Sequence, residues 1–137
     1  MIREYTNADF EKVNEIGTLI TNDFIKKNNL EDMSSKDYLK FFVYDDGIVK
    51  GFIQIELHFE IIDIINIAVD KNYQNQGIAT NLLNHILNTY KCNKVMLEVR
   101  ESNTSAISFY KKNEFIEIHR RKKYYGNEDA IIMERSI

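Results

Sequence analysis

Apolar residues recur along this chain with two periods, and the points where the period changes outline its elements. Ile2 to Tyr5 reads as a short first strand. Asn7 is placed to cap a helix from about Ala8, in which Phe10, Val13, Ile16, Gly17 and Ile20 share a helical spacing. Thr21 to Lys40 is the least patterned stretch. Phe24 and Ile25 extend the helical spacing there, and Ser34 or Ser35 is a candidate cap for a second helix carrying Tyr38 and Leu39. Phe41 to Tyr44 then reads as a strand, and Asp45-Asp46-Gly47 as a hairpin turn, because Asp and Gly tolerate positive φ. Gly51 to Phe59 and Ile61 to Asp70 are Ile- and Phe-rich strands.

From Ile78 the helical period returns, with Leu82, Leu83, Ile86, Leu87 and Tyr90 on one face. Lys94 to Arg100 is apolar on both parities, as expected of a strand buried on both faces. Asn103 to Lys112 is a short helix with Ala106, Ile107 and Tyr110 inward, where Asn103 is a candidate cap. Phe115 to Tyr124 and Asp129 to Glu134 read as closing strands joined around Gly126-Asn127. The order is β-α-α-β-β-β-α-β-α-β-β, which is an α/β domain built on a mixed central β-sheet.

Length and charge narrow the picture. At 137 residues the chain makes one domain, 1–137, with room for a continuous core. A net charge of −3 argues against non-specific binding to nucleic acid, while leaving a basic substrate or a cationic tail acceptable. Cys92 is the only cysteine, so no internal disulfide and no thiolate metal cluster can form, which favours a reducing compartment. The start, Met1 to Tyr5, lacks the apolar core of a signal peptide, and no apolar run is long enough to span a membrane. Together these lead to an expectation of a cytoplasmic protein without a membrane partner.

The candidate chemistry centres on Gln74-Asn75-Gln76-Gly77-Ile78-Ala79, a turn between a strand and a helix. Helix N-termini present unpaired N–H groups and a partial positive charge, which suit a phosphate group. Gly77 lets a ligand approach the backbone closely. Taken alone, the glycine does no more than ease the turn.

Four further runs stand in the same order as in one family: Asn66-Ile67-Ala68-Val69-Asp70; Leu97-Glu98-Val99-Arg100 with Ser102-Asn103; Ala106-Ile107 through Tyr110; and Tyr124-Tyr125 followed by Glu128 to Met133. With Gln74, Gly77 and Ala79 matching the signature Q/R-x-x-G-x-G/A, the chain resembles the GNAT superfamily of N-acetyltransferases, and within it the ribosomal-protein alanine N-acetyltransferases of the RimI type. The resemblance covers nearly the whole chain. It implies acetyl-CoA as co-substrate, with no metal. The pyrophosphate would sit on the backbone amides of Asn75, Gln76, Gly77, Ile78, Ala79 and Thr80, and the pantetheine alongside Ile67, Ala68 and Val69. Val69 N–H would then polarise the thioester carbonyl.

The resemblance further implies Glu98 as general base and Tyr110 as the acid that protonates the departing thiolate, with Asn103 reaching the cofactor. A peptide α-amine has a pKa of about 7.7–8.0 and must lose a proton to attack. A carboxylate, at about 4.3, is a poor base unless burial raises it or water relays the proton. The parity of Glu98, shared with Met96 and Arg100 on an apolar strand, leads to an expectation of partial burial. A phenol at about 10 protonates a thiolate at about 8.5 only against a modest gradient, so position matters. The plainer readings are a strand-end acid paired with Arg100 or Lys94 for Glu98, a core aromatic for Tyr110 and a helix cap for Asn103.

The family implies an amine acceptor, in the first place the N-terminal α-amine of a ribosomal protein. A small-molecule amine, a lysine or an aminoacyl-tRNA is the alternative, as is a non-catalytic acyl-CoA-binding module. Two departures bear on this. The family's aromatic-Pro-Trp-Ser motif is missing, since the chain has no Pro and no Trp and offers Asp23 to Ser35 instead. The family's Gly-Phe pair is here Glu114-Phe115, with Asn113 as the candidate for the left-handed residue that ends the helix. His58, His85 and His119 show no metal spacing, Cys92 has no motif of a nucleophile, and His119 to Lys123 reads as the solvated face of a strand.

Overall fold

The structure, a computed structural model, describes residues 1–20 and 36–137. Its seven strands are β1 (Ile2–Glu4), β2 (Leu39–Asp45), β3 (Val49–His58), β4 (Ile61–Val69), β5 (Lys94–Arg100), β6 (Ile116–Arg121) and β7 (Ala130–Ser136). They form one sheet in the order β1-β2-β3-β4-β5-β7-β6, with β4 and β5 parallel and every other pair antiparallel. The described helices are α1 (Phe10–Gly17), α2 (Ile78–Thr89) and α3 (Thr104–Lys112). This is the mixed α/β architecture that the patterning predicts. Phe24, Ile25, Ser34 and Ser35 lie outside the described residues.

The sheet separates two apolar cores, because neighbouring strand residues face opposite ways. Phe42, Ile53, Ile55, Ile62 and Ile64 join α2 through Leu82, Leu83 and Ile86. Val43 and Phe52 join Val13 and Ile16 of α1 on the other face. Leu82 is fully buried, and cutting such a leucine back to alanine costs about 2–5 kcal/mol. β4 serves both cores through one irregularity. Gln54 pairs with Asn66 and Ile55 with Ile64, which leaves Ile65 as a bulge. The extra residue shifts the phase, so Ile62, Ile64, Ile67 and Val69 all turn toward the α2 core while Ala68 packs toward α1.

Several local expectations change. α1 is preceded by a 3₁₀ turn at Asn7–Asp9 whose N-cap is Thr6, not Asn7. Asp9 accepts from Thr6 N–H at 2.9 Å and ion-pairs with Arg3 at 2.8 Å. α1 ends at Gly17, and Ile20 is exposed instead of continuing the buried face. Leu39 opens β2, with Tyr38 in the preceding turn, because the long β3 recruits them: Leu39 pairs with Glu56, and Leu57 N–H donates to Tyr38 O at 2.7 Å. β5 is buried on one face only, through Val95, Leu97 and Val99, while Glu98 and Arg100 are exposed.

At the end of α3 the left-handed residue is Glu114, at φ +71°, and Asn113 stays at φ −100°. Phe115 N–H donates to Tyr110 O at 3.0 Å and Glu114 N–H to Lys111 O at 3.2 Å, the paired bonds of a Schellman turn. The rings of Tyr110 and Phe115, 5.5 Å apart, supply its apolar contact. That contact holds the turn although its residue carries a Cβ.

Two substitutions probe these constraints. Glu114→Gly relieves the left-handed strain and gives up an exposed pair with Arg135, so stability in chemical denaturation rises by about 1 kcal/mol. At Gly51 a Cβ would stand 2.9 Å from Ala68 O and 3.2 Å from the Ile78 side chain. Gly51→Ala therefore lowers stability in the same assay by about 1–3 kcal/mol, by forcing β4 and the start of α2 off β3.

Candidate active site

β4 and β5 run together only as far as Ile64 and Leu97. Beyond those residues each strand keeps its outer partner, β3 or β7, and the two part. The backbone lining the gap can be read from the antiparallel alternation of β4. Asp70 N–H donates to Lys50 O of β3 at 2.7 Å, so Ala68, two residues earlier, also faces β3. The close approach of Ala68 O to Gly51 agrees with this. Ile67 and Val69 accordingly turn their N–H groups away from β3 and into the gap. Gln74 Nε2 donates to Val69 O at 3.2 Å, tying the turn beyond β4 to the same edge.

That turn ends in two left-handed residues, Asn75 at φ +63° and Gly77 at φ +82°, and Gly77 is the N-cap of α2. The first helical bond runs from Asn81 N–H to Gly77 O at 2.9 Å, so the amides of Ile78, Ala79 and Thr80 precede the ladder. A Cβ on Gly77 would meet nothing within 4 Å. The glycine thus answers to a backbone conformation and borders open space, whereas Gly51, which the sequence does not single out, is required by packing.

Glu98 and Tyr110 flank the gap from opposite faces. Glu98 points to the α1 face and is exposed, so the partial burial expected of it does not occur. β7 covers this strand on its edge, not on that face. Glu98 is also not paired with Arg100 or Lys94: Lys94 pairs with Glu134, and Arg100 lies 3.6 Å from Glu128. Its partner is Tyr125 of the β6–β7 loop, whose hydroxyl donates to Glu98 Oε1 at 3.2 Å. The Arg100 guanidinium sits 4.0 Å above the centre of the Tyr125 ring. Glu128, in turn, accepts from Ser102 Oγ at 2.8 Å. The sequence signal for Tyr125 is the Tyr124-Tyr125 run, but its contact with Glu98 bridges 27 positions and follows no spacing rule.

Tyr110 is 7% exposed and packs in the apolar cluster with Leu97 and Val99. Burial pushes its phenol well above the usual tyrosine range. The hydroxyl donates to no described residue. No described buried polar side-chain atom lacks a partner, so this hydroxyl reaches accessible space. Asn103 is the N-cap of α3, its side chain accepting from Ala106 N–H at 3.2 Å.

The remaining features resolve simply. Burial raises the thiol pKa of Cys92, the opposite of what activates a nucleophile. Within His119 to Lys123, Arg120 pairs with Glu101, Glu117 and Asp129, and Lys122 with Asp129, so acids offset part of the basic run. His58 Nε2 lies 3.3 Å from Glu56 and 3.6 Å from Asp63, a grouping across β3 and β4 that chain spacing does not reveal. Among the described residues no helix is long and apolar enough to cross a membrane.

Burial, then the charge and hydrogen bond of Glu98, push the Tyr125 phenol up to about 12. Glu98→Gln removes the charge and leaves the burial, so Tyr125 titrates lower in that variant yet still above the ordinary value of about 10. NMR of ring-labelled tyrosine, assigned with Tyr125→Phe, measures this. Because the folded pKa exceeds the unfolded one, the phenol's contribution to stability is complete below about pH 10 and is lost as pH rises toward 12.

Comparison with known proteins identifies the family. The profile of the acetyltransferase (GNAT) family matches residues 1–115. The chain is 38% identical over 103 residues to the ribosomal protein bS18 alanine N-acetyltransferase of Escherichia coli, covering 70% of each chain. It is 37% identical over 121 residues to an N-alpha-acetyltransferase of Saccharolobus solfataricus, covering 74% of this chain and 72% of that one. The crystal structure of the Escherichia coli enzyme superposes with a TM-score of 0.86 at 27% identity, covering 100% of this chain and 93% of that one. Ard1 from Thermoplasma volcanium gives 0.87 at 28% identity, with coverage of 100% and 97%. By profile and by shared identity, the chain belongs to the acetyltransferase (GNAT) family.

Proposed function

We propose that this protein transfers acetyl from acetyl-CoA to the N-terminal α-amine of a protein, with a ribosomal protein starting in alanine as the first candidate acceptor. Acetyl-CoA use follows from the family. The acceptor is carried by likeness to relatives that bear N-terminal acetyltransferase names. The observation that supports the chemistry best is the parting of β4 and β5, with Glu98 on one face of the opening and Tyr110 on the other.

Acetyl-CoA supplies an acetyl group activated as a thioester. In this reading the amides of Asn75, Gln76, Gly77, Ile78, Ala79 and Thr80 hold its pyrophosphate, and the open space beside Gly77 fits that use. Ile67, Ala68 and Val69 receive the pantetheine as an added strand, for which the gap-facing amides of Ile67 and Val69 are free of β3. Val69 N–H donates to the thioester oxygen as negative charge develops there. Asn103, already a helix cap, borders the same cofactor.

Glu98 takes the amine proton on the α1 face. Its exposure gives water access to the carboxylate, which favours a water relay over direct abstraction. Tyr110 donates on the opposite face. Its raised pKa keeps the phenol protonated at neutral pH and makes donation favourable only as the sulfur becomes anionic.

The test is CoA-thiol release by wild type, Glu98→Gln and Gly77→Val, with alanine-starting peptides, lysine peptides, small amines and aminoacyl-tRNA as acceptors. Turnover is expected on the alanine-starting peptides. Glu98→Gln, which preserves an acceptor for Tyr125, lowers kcat about a hundredfold or more. Gly77→Val raises the KM for acetyl-CoA by at least about tenfold, since it strains the turn and fills the space beside it. Turnover confined to small amines, lysine or tRNA would reject the acceptor and retain the chemistry. Binding of acetyl-CoA without turnover on any acceptor would leave a non-catalytic acyl-CoA-binding module.

A further inference from the structure

α1 packs on one face of the sheet, and the turn after β4 leads to α2 on the other, yet a single ion pair joins them. Lys12 Nζ lies 2.8 Å from Asp70 Oδ2. The Asp70 side chain is only 7% exposed, against 33% for Lys12. Asp70 is otherwise held by its own neighbourhood. Its Oδ1 accepts from Asn72 N–H at 2.9 Å, its carbonyl accepts from Tyr73 N–H at 2.9 Å, and its N–H donates to Lys50 O at 2.7 Å. Lys12, fifty-eight positions away, is the one described side chain that bonds this carboxylate.

A buried carboxylate that loses its cation is strongly disfavoured and relaxes by taking a proton or by turning out to water. Either outcome weakens the bond to Asn72 N–H that shapes the 3₁₀ turn Lys71–Tyr73. Gln74 follows directly, clasping Val69 O, and then Asn75 and Gly77 in their left-handed conformations. The orientation of the amides at the start of α2 is thus built on a turn whose first residue is fixed from α1.

We infer that Lys12 is a positioning residue for acetyl-CoA, acting through Asp70 on the turn that carries Gly77. This rests on the reading of residues 75–80 as the phosphate grip. Lys12 touches no part of that grip, so its effect falls on cofactor affinity and spares the chemical step. A role in stability alone would behave differently, and Arg3 offers the comparison. Arg3 holds another buried carboxylate, Asp9, at 2.8 Å, and neither residue has a side-chain bond to the turn after β4.

The experiment measures thermal stability, acetyl-CoA binding by calorimetry, and KM and kcat for wild type, Lys12→Met, Lys12→Arg, Arg3→Gln and Gly77→Val. Lys12→Met is expected to raise the Kd and KM for acetyl-CoA about tenfold while kcat at saturation stays within about twofold. Lys12→Arg recovers most of the affinity, and Arg3→Gln loses stability with wild-type affinity. If Lys12→Met fails to fold, Lys12→Gln, which leaves Asp70 without its cation but with a polar neighbour, carries the test; it too must bind acetyl-CoA more weakly than wild type. Wild-type affinity in Lys12→Met, or an equal loss in Arg3→Gln, would overturn the inference. Loss of binding in Gly77→Val alongside wild-type affinity in Lys12→Met would sink it alone. Wild-type binding by Gly77→Val would remove the phosphate-grip reading itself.

Discussion

The backbone hydrogen bonds that β4 and β5 do not make to each other set the geometry on which the proposed function rests. Parallel strands ordinarily keep their ladder to the end, because a buried unpaired N–H costs as much as a lost hydrogen bond. Here the ladder stops after four partner pairs, and each strand remains anchored on its far side. The amides of Ile67 and Val69 are left facing an opening that an extended ligand can enter. The residues proposed for the chemistry lie on or beside the strands that part: Gly77 in the turn beyond the end of β4, Glu98 on β5, and Tyr110 of α3 in the cluster with Leu97 and Val99.

Electrostatics and burial divide the two faces. On the α1 face, Glu98, Tyr125, Arg100 and Glu128 form a chain of polar contacts open to water. On the α2 face, Tyr110 sits among Leu97, Val99 and Phe115, and burial alone raises its pKa. The same strand, β5, presents both surroundings because its side chains alternate. One seven-residue strand therefore keeps an ionisable acid in water and a phenol nearly out of it.

What could be read from the sequence follows from what a sequence encodes locally. The order of the seven strands and the three described helices was legible because alternation and helical spacing are properties of neighbours, and the Gly77 turn because positive φ selects glycine. Position-by-position details of caps were less so. Thr6 rather than Asn7, and Glu114 rather than Asn113, occupy the special positions, since in each case a contact from elsewhere decides: Arg3 on Asp9, and the Phe115 ring on Tyr110. The surroundings of Glu98 were not legible either. Parity told which residues share its face, but not that the face is open or that Tyr125 reaches across the β6–β7 loop. Lys12 and Asp70 carry no mutual signal at all, being an ordinary helix lysine and an ordinary strand-end acid until the chain folds.

The bulge at Ile65 has a consequence for how this protein can vary. Replacing an isoleucine of β4 by valine or leucine changes volume at one spot and leaves every neighbour facing the same way. Losing Ile65 itself would restore plain alternation, with Gln54 still opposite Asn66 and Ile55 still opposite Ile64, and would leave Ile67 and Val69 facing α2. One residue can therefore leave this strand, or stay in it as a bulge, without turning its neighbours over: the strand can change length at the one place where it already carries a spare residue.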